Sequence, residues 1–198
     1  VDWQKEIDAL IEKDHIVDAT MRILVVGTKE PLWFITWSTL LTYPDSYYRE
    51  GVDVTTYKGE RFLPQCKTGN LLLNYLSREE ASRQGAFEAL LVDDEGLIRE
   101  GSRSNFYIIK GNVLTTAPDD TVLDGVTRIS VLRAARELGY SIEYRRPEKS
   151  EIFSADSSFI SSTSMGAMPI KAVDGERCPM DRDKVAAICA LVRKWERE

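Results

Sequence analysis

The chain is poor in the residues that most often announce chemistry. Among its 198 residues there is one histidine, His15, and three cysteines, Cys66, Cys178 and Cys189, with no CxxC spacing between them. A cysteine or histidine metal site and a disulfide framework are therefore not expected, and a reducing compartment, by default the cytoplasm, is. No apolar run approaches the roughly 18 residues that a membrane-spanning helix needs, so no membrane partner is expected. Basic runs are missing too: 26 Lys+Arg stand against 32 Asp+Glu, a net charge of -6, which removes the electrostatic footprint for nucleic acid. The opening Val1-Asp2-Trp3-Gln4-Lys5 is neither an initiating methionine nor a secretory signal. The expectation is a processed chain or one that begins inside a longer sequence.

What is present is an ordinary globular balance, 43% hydrophobic and 29% charged, with no repeat or low-complexity stretch. At this length roughly 70% of the unfolded chain's surface can be buried. Trp3, Ile7, Leu10 and Ile11 recur at helical spacing behind Asp2, a good cap, so the first dozen residues are predicted to be a helix. Met21 to Val26 and Leu32 to Leu40, separated by Gly27 to Pro31, read as a hairpin, and Tyr43 to Gly51 as a connection between lobes. Leu71, Leu72, Tyr75, Leu76 and Ala81 form a helical stripe ending at Gly85.

Phe87 to Val92, Leu97 to Arg99, Phe106 to Ile109 and Val113 to Thr116 follow as a meander of short antiparallel strands. A helix is predicted from about Thr127 to Leu138, with Val131, Leu132, Ala135 and Leu138 on one face. Phe159 to Ser162 and Ile170 to Val173 are further strands, Asp174-Gly175 is a turn, and a last helix runs from Asp181 with Val185, Ile188, Cys189 and Val192 on its buried stripe.

Four places combine unusual residues with punctuation. Lys67, in Gln65-Cys66-Lys67-Thr68-Gly69-Asn70, is either a surface loop lysine or, once desolvated, an amine able to attack an aldehyde as a Schiff-base lysine. Glu100-Gly101-Ser102-Arg103-Ser104-Asn105 is either a polar turn or an acid placed at a strand end. Gly125-Val126-Thr127-Arg128 opens a helix, so its free N–H groups could hold a phosphate, or Thr127 could simply cap it. Ser161-Ser162-Thr163-Ser164-Met165-Gly166 could cup a phosphate with hydroxyls and backbone N–H groups, or be a plain loop. His15, Arg145-Arg146 and Cys66 carry weaker signals and read as structural or surface residues.

Taken in order, Lys67-Thr68-Gly69-Asn70-Leu71-Leu72, Glu88-Ala89-Leu90-Leu91, Glu100 to Phe106, Leu123 to Arg128 and Ser162-Thr163 resemble the successive blocks of the class IV aminotransferases, from about Tyr57 to Gly175. The resemblance implies an α/β mixed (α+β) protein of fold type IV, with a large lobe of mainly antiparallel strands and flanking helices over residues 45–198. Residues 1–44 would be the C-terminal part of an incomplete small lobe. It implies pyridoxal 5'-phosphate as cofactor, joined to Lys67, with Glu100 beside the ring nitrogen. Val126, Thr127, Ser162 and Thr163 would hold the phosphate, and Ser104 and Asn105 would orient the surroundings of the acid.

The implied reaction moves an amino group from an amino acid or amine to a 2-oxo acid in a homodimer. The same family resemblance leaves two alternatives: a lyase that releases pyruvate from aminodeoxychorismate, and a catalytically silent relative. Gly166-Ala167-Met168-Pro169 is more similar to the R-selective amine transaminases within that family, and Val26 stands before Gly27 where D-amino-acid transaminases commonly carry an arginine. The family's first strands, with an arginine that binds the cofactor phosphate, would precede Val1.

Overall fold

Asp2 starts the first helix as its side chain predicts: the carboxylate accepts the Lys5 N–H at 3.2 Å, and α1 runs Trp3–Asp14. His15 ends it in the left-handed conformation, φ 53°, returning its N–H to the Ile11 carbonyl. Strands β1 (Thr20–Val26) and β2 (Leu32–Ser38) then pair antiparallel, Thr20 opposite Ser38 and Val26 opposite Leu32, so the second strand stops short of Leu40. Trp33 meets Trp3 edge-on at 5.7 Å, and the Trp37 indole donates to Asp14 at 2.7 Å, which fastens the helix to the hairpin.

This computed structural model describes residues 1–196 and separates into two compact units, Val1–Thr42 and Tyr43–Glu198. The division falls after residue 42 because the Tyr43 ring already packs edge-on against Phe87 of the second unit, 5.4 Å between centroids.

In the second unit the expected connection holds a helix, α2 (Asp45–Glu50). Its Tyr47 also packs on Phe87, and the Tyr48 hydroxyl donates to the Met165 carbonyl at 3.0 Å, long-range contacts that no local pattern reveals. The chain continues through β3 (Val52–Lys58), α3 (Leu72–Arg83), β4 (Glu88–Val92), β5 (Ile98–Gly101), β6 (Asn105–Lys110) and β7 (Val113–Thr116). It ends through α4 (Val126–Glu137), β8 (Ser141–Tyr144), α5 (Lys149–Ile152), β9 (Ser157–Ser162), β10 (Gly166–Val173), β11 (Glu176–Arg177) and α6 (Arg182–Trp195). Asp181 caps α6 by accepting the Lys184 N–H at 3.3 Å.

Among the described residues, nine strands form one sheet. The meander β4-β5-β6-β7 is antiparallel as expected, while β3 runs parallel to both β4 and β10, and β7 parallel to β8. Because β9 bonds to β10 on one side and β6 on the other, β3, β4, β5, β6, β9 and β10 pair in a closed circuit that leaves no free edge among them. Side chains alternate across it. From β6, Phe106 and Ile108 enter one core with Val54, Leu90, Ile98, Ile160 and Met168, whereas Tyr107 and Ile109 enter a second core under α4 and α6 with Val131, Leu132, Val185, Ile188 and Val192.

Two helical faces depart from the sequence pattern. α3 buries Ser77 and Ala81, while Leu71, Leu72, Tyr75 and Leu76 point outward, 43% to 67% exposed. Small residues let the helix sit close on the strands beneath, and the Ser77 hydroxyl is satisfied by the Leu73 carbonyl at 2.8 Å. Leu138, expected on the buried face of α4, is the C-cap residue and 41% exposed.

Candidate active site

The segment between β3 and α3 carries Lys67. Hydrogen bonds from Cys66 N–H to the Leu63 carbonyl, 2.9 Å, and from Thr68 N–H to the Cys66 carbonyl, 3.0 Å, fold it into tight turns, with Leu63 held at φ 53°, where a non-glycine residue is strained. Lys67 itself is exposed. Six positions earlier, Arg61 lies nearly buried beneath this segment: its guanidinium donates to the carbonyls of Pro64 and Cys66, the latter at 3.4 Å, and its Nε donates to Glu100 Oε1 at 2.8 Å. Lys67 and Glu100, distant in sequence, thus share one guanidinium between the peptide next to the amine and the acid. The sequence reading missed Arg61, since only its spacing from Lys67 could have pointed to it.

Glu100 is the penultimate residue of β5, with its side chain 6% exposed. Burial pushes its carboxyl above the usual carboxylate range, and the Arg61 guanidinium and the Leu123 N–H, 3.3 Å from Oε2, pull the other way. The turn from Gly101 to Ser104 is shaped from below by Glu88, a fully buried acid on β4 that accepts from the Ser102 hydroxyl, the Ser104 hydroxyl at 3.1 Å and the Ala89 N–H at 2.9 Å. A Cβ at Gly101 would overlap the Ser104 hydroxyl and press on Glu88 at 3.2 Å, so any larger residue here would force both side chains to shift. Ser104 therefore faces Glu88, and Asn105, paired across the ladder with Glu100, donates to the Leu123 carbonyl at 2.9 Å.

Gly125, not Thr127, is the N-cap of α4, in extended conformation and with no side-chain cap hydrogen bond. The first N–H groups of the helix are left without a side-chain acceptor, which is the arrangement that receives anions. Thr127, buried within the first turn, places its hydroxyl oxygen 3.3 Å from that of Thr163 on the β9–β10 turn, where the Ser162 and Ser164 hydroxyls are also 3.3 Å apart. Two segments distant in sequence thus converge, while Val126 is 70% exposed beside them.

Arg128, also overlooked in the sequence, is fully buried under this helix start. Its guanidinium donates to the Thr116 hydroxyl at 2.8 Å, the Ala117 carbonyl at 2.8 Å and Asp119 at 2.6 Å, holding the stretch that leads to Leu123. Arg145 and Arg146 stay outside. Arg145 pairs with Glu143 and Glu151 near the surface, and Arg146 with the exposed Glu95 and the buried Asp93. A cavity of about 430 Å³ elsewhere in this unit, lined by Tyr47, Asp53, Arg78, Phe87, Arg103 and Lys171 among others, contains none of the candidate site residues.

The mainly antiparallel α+β unit has the fold of the fold type IV transaminases, with a TM-score of 0.75 to one from Curtobacterium pusillum at 23% identity, covering 96% of this chain and 72% of that one. The fold agrees with the crystal structure of the Escherichia coli branched-chain amino acid aminotransferase: TM-score 0.74 at 26% identity, covering 92% of this chain and 69% of that one. The family model "Amino-transferase class IV" matches residues 1–173, and the chain belongs to that family. It is 38% identical over 136 residues to the D-alanine aminotransferase of Bacillus licheniformis, 67% of this chain and 47% of the relative. It is 30% identical over 163 residues to the branched-chain-amino-acid aminotransferase of Pseudomonas aeruginosa, 79% of this chain and 53% of the relative. The chain spans about half the length of the curated relatives it matches.

Proposed function

We propose that this chain is the cofactor-holding part of a pyridoxal-phosphate aminotransferase that moves an amino group from an amino acid or amine to a 2-oxo acid. The observation that carries the reading is the meeting of Thr127 and Thr163, hydroxyls 3.3 Å apart at an uncapped helix start, with Glu100 bonded to the Leu123 N–H in the segment leading into the same helix. The donor set fits the group. Backbone N–H groups at Val126 and Thr127 and the hydroxyls of Thr127, Ser162 and Thr163 suit a phosphate, and a buried carboxylate suits a protonated ring nitrogen.

When bound, the cofactor supplies an aldehyde for an amine and a ring that withdraws electrons from the adjacent carbon. Lys67 would hold it covalently and, when released, carry a proton at its amine. Glu100 would accept the ring N–H, Arg61 favouring its ionised form, while Ser104 and Asn105 keep its turn in place. Residues 1–42 would be the tail of the small lobe and the rest the large lobe.

A homodimer is supported by the outward apolar face of Leu71, Leu72, Tyr75 and Leu76 together with exposed Phe62 and Leu63. A reducing, cytoplasmic setting is supported by three free thiols. Among the described residues no helix is long and apolar enough to cross a membrane.

Titration with pyridoxal phosphate tests the reading. A visible absorbance band that borohydride fixes onto the Lys67 peptide, and that Lys67→Ala lacks, is the expected result; its absence from the unaltered chain sinks the proposal. Keto-acid formation that depends on an added 2-oxo acid identifies transfer, whereas pyruvate released from aminodeoxychorismate without an acceptor identifies the lyase.

A further inference from the structure

We propose that Arg61 is a positioning residue that ties the lysine-bearing turn to Glu100, so that the amine and the acid are set by a single side chain. The inference deepens the functional reading and, where it concerns the cofactor, rests on it. Three contacts carry it. The Arg61 side chain is 11% exposed; its Nε donates its hydrogen to Glu100 Oε1 at 2.8 Å, while its terminal nitrogens reach the carbonyls of Pro64 and Cys66, on either side of Gln65 and immediately before Lys67. An arginine can make this division of donors because its fork is planar and rigid, and a lysine ammonium cannot.

The turn needs the brace. Leu63 sits at φ 53°, a conformation that persists only where surrounding contacts hold it, and besides the two internal turn bonds the segment is tied down by Gln65, which donates to the Asp120 carbonyl at 2.8 Å. Arg61 is therefore the contact that links the strained turn to the β-sheet carrying the acid.

The acid needs the charge. Glu100 faces two arginines, Arg61 and Arg99, but Arg99 is engaged elsewhere: it pairs with Glu60, approaches Asp93 at 4.0 Å and donates to the Thr121 carbonyl at 3.3 and 3.2 Å. Arg146 in turn pairs with Asp93. Among the described residues, Arg61 is the one charged group that bonds the Glu100 carboxylate directly, offsetting its burial.

The test uses Arg61→Gln and Arg61→Lys, each checked for an unfolding transition like that of the unaltered chain. In the ligand-free chain, amide hydrogen exchange is read at Cys66 and Thr68, the two internal turn bonds. Exchange about tenfold faster or more in both variants is expected, since neither replaces the fork; unchanged exchange overturns the brace. Pyridoxal phosphate is then titrated from pH 5 to 9. Arg61→Gln is expected to move the pH profile of the absorbance band upward while Arg61→Lys, which keeps the charge, stays near the unaltered profile; coincident profiles for all three chains overturn the link to Glu100. Absence of any borohydride-fixed adduct in the unaltered chain would instead defeat the functional reading, and the exchange result would still decide the brace.

Discussion

Thr127 and Thr163 are thirty-six positions apart, and their hydroxyl oxygens stand 3.3 Å from each other. One comes from the first turn of α4 and the other from the turn between β9 and β10, so the pair exists only because β6 and β9 lie side by side in the closed sheet. Hydrogen bonds to a charged group contribute about 1.5 to 3 kcal/mol each. Thr127→Ala or Thr163→Ala is expected to weaken binding of pyridoxal phosphate roughly ten- to hundredfold, while binding of pyridoxal, which lacks the phosphate, stays the same. Parallel absorbance titrations with the two ligands check this; equal losses for both would remove the phosphate from this site.

Arg128 is fully buried and bonded to Thr116, Ala117 and Asp119. Its acidic partner Asp119 is 59% exposed, so removing the guanidinium strands no buried charge; what is lost is the donor to the buried Ala117 carbonyl, a cost of about 1 to 3 kcal/mol. Arg128→Met is expected to lose stability on that scale in urea unfolding. Arg128→Lys should recover only part of it, because one ammonium cannot reproduce the fork.

Asp174 sits in the turn between β10 and β11 at φ 49°. Burial raises its carboxyl, but hydrogen bonds from Lys149, Thr56 and Thr55 outweigh that and bring it down to about 2. A folded value below the unfolded one means stability that is fully present above about pH 4 and lost as pH falls toward 2. Asp174→Asn, which tolerates the same left-handed backbone, should flatten this acid limb when urea midpoints are compared at pH 7, 4 and 3. An unchanged slope would contradict the assignment.

The outward face of α3 gives a test of self-association. Leu72 is 67% and Leu76 43% exposed, so replacing either by Asp leaves the packed side of the helix alone. Sedimentation should show a dimer for the unaltered chain and a monomer for Leu72→Asp, with the unfolding midpoint of the monomeric unit little changed. A monomer in both cases would remove this face as the interface.

Much of the fold was legible because it is written in short-range chemistry. Asp2 and Asp181 cap helices through their own carboxylates, and Asp174 and Gly175 take positive φ where a tight turn needs it. The β4 to β7 meander follows from alternating runs and turn residues. Strand β3 carries strand-forming Val52, Val54, Thr55, Thr56 and Tyr57, but its parallel pairing with β4 on one side and β10 on the other was not legible, because it depends on segments distant in sequence. The outward turn of the Leu71 to Leu76 stripe was equally hidden, since periodicity shows that a helix has faces but not which one meets the sheet.

The candidate site divides in the same way. Lys67, Glu100, Thr127 and Thr163 stand out in the sequence because each belongs to a short block of distinctive chemistry, and those blocks determine the family. That Arg61 reaches both the Lys67 turn and Glu100, that Glu88 shapes the turn at Gly101, and that Arg128 supports the helix start were decided by tertiary structure alone. Local order fixes backbone conformation through caps, turns and alternation, whereas a buried charge acquires its partners only when distant strands are brought within hydrogen-bond reach and water is excluded between them.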